Sequence, residues 1–236
     1  MIVIVAGMHR SGTSAMSGFL HKNGIMMGRE SDFHPRPKKE NPKGFYENKL
    51  FRTLNDQWLR KYSTDPNYLV KQWAKEPPRL LGKQLDNQDR EKARELIDFY
   101  NQYWKNSGGK KGFGYWGWKD PRNCLTLSLW FQALKGHQVR VVIMEREPES
   151  IGKSLKARRN CSIQRGIDLS RIYMELLKEQ LALCDYIPRI YIDFDEFIEN
   201  TPKTCEKLSK FIGKEINMAS SGDFLDKDLR HWENGK

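Results

Sequence analysis

Hydrophobic positions along this chain alternate between two patterns, short unbroken apolar runs and longer segments with helical spacing. Residues 3–6 (VIVA) and 138–145 (QVRVVIME) are β-branched and nearly continuous in apolar character, the mark of strands covered on both faces in a parallel sheet. Shorter runs at 115–118 (YWGW) and 189–194 (RIYIDF) read as further strands. Between them, Ala15, Met16, Phe19 and Leu20 recur at helical spacing over 14–23, with Gly24 placed to cap the helix. Leu50, Leu54, Trp58 and Leu59 form an amphipathic stripe, and 89–104, 124–134, 148–160, 169–186 and 201–212 also read as helices. Proline opens the helix at 148 and Gly213 caps the last one. The segment 31–44 (SDFHPRPKKENPKG) is a polar, proline-rich surface loop, and 61–88 has little periodicity.

Strands alternating with helices predict an α/β protein, a P-loop-like three-layer α/β/α arrangement with a mainly parallel central sheet. A single domain over 1–236 is expected, with a helical and loop insertion at about 61–113. There are no internal repeats and no low-complexity tract.

Charge narrows the ligands. Forty-one Lys and Arg against 30 Asp and Glu give a formal charge of +11, which favours anionic partners such as nucleotides or sulfated or phosphorylated glycans. The basic residues are scattered rather than striped with aromatics, so a nucleic-acid partner is not expected. The four cysteines, Cys124, Cys161, Cys184 and Cys205, show no metal-ligand spacing, and reduced thiols are expected. The chain has no apolar stretch long enough to cross a membrane and no signal peptide at its N-terminus, so a cytoplasmic location is expected.

The strongest motif is GMHRSGTS at 7–14, between the first strand and the first helix. A glycine turn there aims backbone N–H groups and the positive end of a helix dipole at an anion. Gly7 and Gly12 permit the turn, and Thr13 and Ser14 supply hydroxyls. The G-x-x-x-x-G spacing is that of a phosphate loop, yet Thr13 stands where nucleotide hydrolases carry lysine. Arg10 is then the cation, and its planar fork suits a terminal monoester rather than a metal-bridged triphosphate.

The segment RSGTS resembles the 5′-phosphosulfate loop of sulfotransferases that use 3′-phosphoadenosine 5′-phosphosulfate (PAPS). That resemblance implies that Arg10, Ser11, Gly12, Thr13 and Ser14 wrap the 5′-phosphosulfate without a metal. A second family element, an arginine at a strand end with a serine eight residues later, is matched by Arg146 and Ser154 in VRVVIMEREPESIGKS, and implies a 3′-phosphate site. The two clusters are expected to grip opposite ends of the donor, leaving adenosine 3′,5′-bisphosphate as product. YIDFDEFIENTPKTCEKLSKFIG resembles the family's late strand and helix. The family's glycine-rich C-terminal cofactor motif is absent, and DKDLRHW stands in its place.

Sulfuryl transfer to a hydroxyl needs a base, cations on the bridging oxygen and in-line placement of the acceptor. Pro121 occupies the position where many family members have a histidine base, while Lys119 is retained nearby. Glu47, in NPKGFYE, resembles the NPxGxxE segment of bacterial relatives and is the favoured base; a pKa raised by partial burial is expected for it. Asp120 is the alternative, its competing role being an N-cap. Lys119 is expected to share the leaving group with Arg10, Arg122 to bind substrate or cofactor, and His9 to contact the acceptor or simply line the loop. The acceptor is read as a hydroxyl compound, a carbohydrate or glycoconjugate, in a pocket formed by 29–47 and 61–113. Two other classes remain open, a P-loop kinase and a basic nucleic-acid-binding protein.

Overall fold

The structure, a computed structural model, describes residues 1–33, 44–70, 72–106, 114–158 and 161–220. His34, His231, much of the 31–44 loop and the DKDLRHW segment lie outside the described residues. Four strands form one sheet: β1 (Ile2–Ala6), β2 (Trp116–Lys119), β3 (Val139–Glu145) and β4 (Arg189–Asp193). Their order is β2-β1-β3-β4 and every pairing is parallel. The residues of β1 alternate between two cores, Ile2, Ile4 and Ala6 facing one and Val3 and Val5 the other. That is why the run is apolar without interruption.

Helices cover both faces, giving the three layers that the sequence predicts. One face carries α1 (Thr13–Lys22), α7 (Phe194–Glu199) and α8 (Thr201–Ile212). The other carries α2 (Lys49–Tyr62), α3 (Asn87–Asn106), α4 (Asn123–Ala133), α5 (Pro148–Arg158) and α6 (Ile163–Ala182). Trp58, Trp104, Trp116, Trp118 and Trp130 are buried in this second core, so they offer no exposed aromatic stripe to a nucleic acid. Tyr68, Leu80, Leu85, Ala93, Ile97 and Tyr100, from the segment read as an insertion, belong to the same core.

Several boundaries differ from the periodicity reading. The α1 helix is capped by Asn23, with Gly24 following at φ 78°. The α6 helix begins at Ile163, earlier than 169, because the Ser162 hydroxyl accepts from the Arg165 amide. The chain turns at Asp193, whose carboxylate accepts from the Glu196 amide and starts α7, so Phe194 is not a strand residue. No apolar period marks either cap. At the α5–α6 crossing two glycines meet: a Cβ on Gly166 would lie 2.7 Å from the Gly152 Cα.

The chain runs from β1 to β2 on one side and from β3 to β4 on the other. A crevice therefore opens at the carboxyl ends of β1 and β3, the usual ligand position in such sheets.

Candidate active site

The loop between β1 and α1 sits at that crevice. Gly12 caps α1 at φ 89°, and Arg10 also takes a left-handed φ, of 72°. A non-glycine residue there costs of order 1–3 kcal/mol, and such strain gathers at ligand-holding loops. The Ser11 hydroxyl is committed to the Met8 carbonyl at 2.7 Å, fixing the turn, and Thr13 is buried.

Beneath the loop lies Phe194, from the late strand-and-helix segment. The Phe194 ring packs so closely on Gly12 that a Cβ there would fall 2.0 Å from a ring carbon. The Arg146 guanidinium stacks on the other part of this contact, 4.4 Å from the Phe194 centroid. One aromatic ring thus sets the height of both the loop and the arginine.

The two arginine-and-hydroxyl clusters touch each other in this structure. Arg10 Nε donates to Ser154 Oγ at 2.9 Å, and Arg146 Nη1 donates to the Arg10 carbonyl at 3.3 Å. Arg10, Arg146 and Ser154 form one continuous cluster at the ends of β1 and β3.

On the opposite flank, parallel pairing of Val5 with Lys119 brings the end of β2 beside the loop. Lys119 is 1% exposed, so it is no surface lysine. Its ammonium donates to Ser14 Oγ at 3.0 Å, to the Phe45 carbonyl at 3.1 Å and to Glu47 Oε1 at 2.9 Å. Glu47 bridges to β2 at Lys119 and follows Tyr46, which is held at φ 51°. Burial alone would raise the Glu47 carboxyl, but the Lys119 charge and hydrogen bond outweigh it. With Arg122 and Arg52 adding to the effect, they hold Glu47 below the usual carboxylate range. The raised pKa expected from the sequence is therefore overturned: the carboxylate is charged at neutral pH because its neighbour is a buried cation.

Asp120 holds the turn before α4 but is not its N-cap, a position taken by Arg122. The Asp120 Oδ1 accepts from the Arg122 amide at 2.9 Å and from Arg122 Nη1 at 3.0 Å. Arg122 also pairs with Asp56 at 2.6 Å. Burial works against its charge, but Asp120 and Asp56 hold its pKa above the ordinary value. Buried between two carboxylates, Arg122 is held at the start of α4.

The His9 ring lies edge-on to Trp73 at 4.9 Å and to Tyr173 at 6.2 Å. Burial, then the charge of Arg122, with further repulsion from Lys119 and Arg10, keeps its pKa well below 6.5. His21 is lowered too, chiefly by burial. In both, the folded state binds its proton later than the unfolded chain, so stability is whole above pH 6.5 and falls as the pH drops below it. Denaturant midpoints should therefore decline between pH 7 and pH 5. His9→Gln should flatten that decline, and an unchanged slope would contradict the burial of the imidazole.

A cavity of about 550 Å³ opens beside Ser11 and Arg146, walled by α5 and α6. Its lining comes from the loop, the end of β3, α5 and α6.

No family model matches the chain, and no curated protein matches it in sequence. Solved structures do. The sulfotransferase domain from the Synechococcus PCC 7002 olefin synthase superposes with TM-score 0.56 at 12% identity, over 97% of this chain and 78% of that one. The fold is that of a sulfotransferase. Sulfotransferase STF1 of Mycobacterium tuberculosis H37Rv gives TM-score 0.55 at 14% identity, covering 99% of this chain and 70% of that one. The sulfotransferase domain from the curacin biosynthetic pathway gives 0.51 at 11%, over 97% and 78%. Among the described residues, no helix of this sulfotransferase fold is long and apolar enough to cross a membrane.

Proposed function

We propose that the protein transfers a sulfuryl group from PAPS to a hydroxyl of an acceptor, a carbohydrate or glycoconjugate. The observation that carries this reading is the Lys119 ammonium, buried and bonded at once to Ser14 of the loop and to Glu47. A loop built for an anion and a charged carboxylate are joined through one cation.

Each residue then has a part. Backbone amides around Gly12 and Thr13, with the Arg10 guanidinium, hold the 5′-phosphosulfate. Arg146 and Ser154 take the 3′-phosphate, Arg10 giving up its bond to Ser154 as the loop closes on its anion. Glu47 accepts the proton of the attacking hydroxyl. Protonation removes the negative partner of Lys119, which is then released to donate to the leaving phosphate oxygen. The low pKa of Glu47 makes it a weak base but an ionised one, and the Lys119 charge, no longer neutralised by its partner, compensates at the leaving oxygen. His9 is neutral and turned toward Trp73, so it serves the loop's packing. The acids and arginine at 120, 122 and 56 hold the end of β2.

The test is transfer of labelled sulfate from PAPS to a panel of sugars and glycans, with metal chelated. Label should pass to a hydroxyl acceptor. Label passing to none, together with phosphate release from Mg²⁺-ATP, would move the assignment to a kinase or nucleotide hydrolase.

A further inference from the structure

We propose that Tyr100 of α3 is a positioning residue, fixing the Glu47 carboxylate against Lys119 through a buried hydrogen-bond chain. The inference rests on the role given to Glu47 above, and it brings the segment read as an insertion into the reaction.

The chain begins one residue beyond the base. Asn48 is 1% exposed, and both ends of its side-chain amide are committed. Its Oδ1 accepts from the Leu50 amide at 3.0 Å, capping α2, and its Nδ2 donates to the Tyr100 hydroxyl at 2.6 Å. That hydroxyl donates in turn to Asp32 Oδ2, also at 2.6 Å. The Arg29 guanidinium closes the chain, donating to Asp32 Oδ1 through Nη2 at 2.7 Å and through Nε at 3.0 Å. It also lies over the Phe99 and Tyr103 rings of α3, at 5.1 Å and 5.3 Å.

Burial would raise the Asp32 carboxyl, but hydrogen bonds from Arg29 and then Tyr100 outweigh it and hold it below the usual range. An ionised carboxylate only accepts, so Tyr100 gives its proton to Asp32 and takes the bond from Asn48. Each bond in the chain therefore has one direction. None can be dropped without leaving a buried polar group unpaired.

Tyr100 reaches the other half of the ion pair as well. Its ring stacks on Trp116 at 5.4 Å, with the planes 23° apart, and lies 5.5 Å from Phe51 of α2. Trp116 opens β2, the strand that ends in Lys119. One side chain is thus bonded to the residue after Glu47 and packed on the strand that carries its cation. Gly28 closes a further side: a Cβ there would lie 3.0 Å from Asn48 Nδ2, so the amide has little room to drift. Such support matters because a displacement of about 1 Å in a catalytic group can cost about 100-fold in rate.

Single-turnover transfer from labelled PAPS to the best acceptor of the sugar and glycan panel tests this. Four proteins are compared: the wild type, Tyr100→Phe, Glu47→Gln and the double variant. Tyr100→Phe keeps the ring and its stacking, and should lower the rate about 10- to 100-fold. Acceptor KM and affinity for adenosine 3′,5′-bisphosphate should stay near their wild-type values. In the Glu47→Gln background the same change should cost no further rate, since it acts through a base already removed. Losses of equal size in both backgrounds would make Tyr100 a general support of the fold and overturn the proposal. A wild-type rate in Tyr100→Phe would overturn it too, and both results leave the sulfuryl-transfer reading standing. Should Tyr100→Phe not fold, Asp32→Asn carries the same test, because the amide keeps the shape but loses the charge that orders the hydroxyl. A smaller loss with the same non-additivity is expected there. Wild-type protein that passes no label would fell the transfer reading, and this proposal with it.

Discussion

Glu47→Gln is expected to lower kcat for sulfuryl transfer by about 100- to 10,000-fold, the range a positioned general base supplies. Affinity for adenosine 3′,5′-bisphosphate should stay close to the wild-type value. The amide keeps the shape of the carboxylate, and Lys119 retains its bonds to Ser14 Oγ and to the Phe45 carbonyl. What is lost is the proton acceptor and the charge that parks Lys119. Single-turnover rates separate the two effects from product release. Normal turnover in this variant would place the base elsewhere. Asp120 is the second choice: Arg122 holds its Oδ1, and only Oδ2 is left to take a proton.

The second large effect concerns the loop's shape. Gly12→Ala should weaken binding of the bisphosphate at least 100-fold and lower stability by about 1–3 kcal/mol or more. Two causes act together. The position has φ 89°, which alanine adopts only with strain, and the new Cβ would fall 2.0 Å from Phe194. Phe194 cannot yield freely, since it is buried and carries Arg146 on its face. Phe194→Leu should relieve the clash in part, so the double variant is expected to recover some stability over Gly12→Ala alone. Full affinity in Gly12→Ala would mean that the loop is not the anion site.

The sheet was legible because burial on two faces writes an unbroken apolar run, and β1 and β3 show one. The loop was legible because close backbone approach to an anion demands glycine at fixed spacing. Arg146 and Ser154 were reached through a resemblance, since nothing in their local pattern distinguishes them from surface residues. Phe194 lies in the segment resembling the family's late strand and helix, but its role as a platform was not legible: its contact with Gly12 joins residues far apart in the chain, and the aromatic ring reads as core in any α/β helix. The Glu47 pKa was misjudged for the same reason. Sequence showed apolar neighbours at Phe45 and Tyr46 but not the strand register that puts Lys119 against the carboxylate.

The proposed function requires the crevice between β1 and β3 to bind a nucleotide through Arg10 and its loop without a metal. Calorimetry with adenosine 3′,5′-bisphosphate in the presence of a chelator measures this directly. The wild type should bind one equivalent and Arg10→Ala should bind markedly more weakly. An absence of heat with the wild type, or equal binding by both proteins, would contradict it.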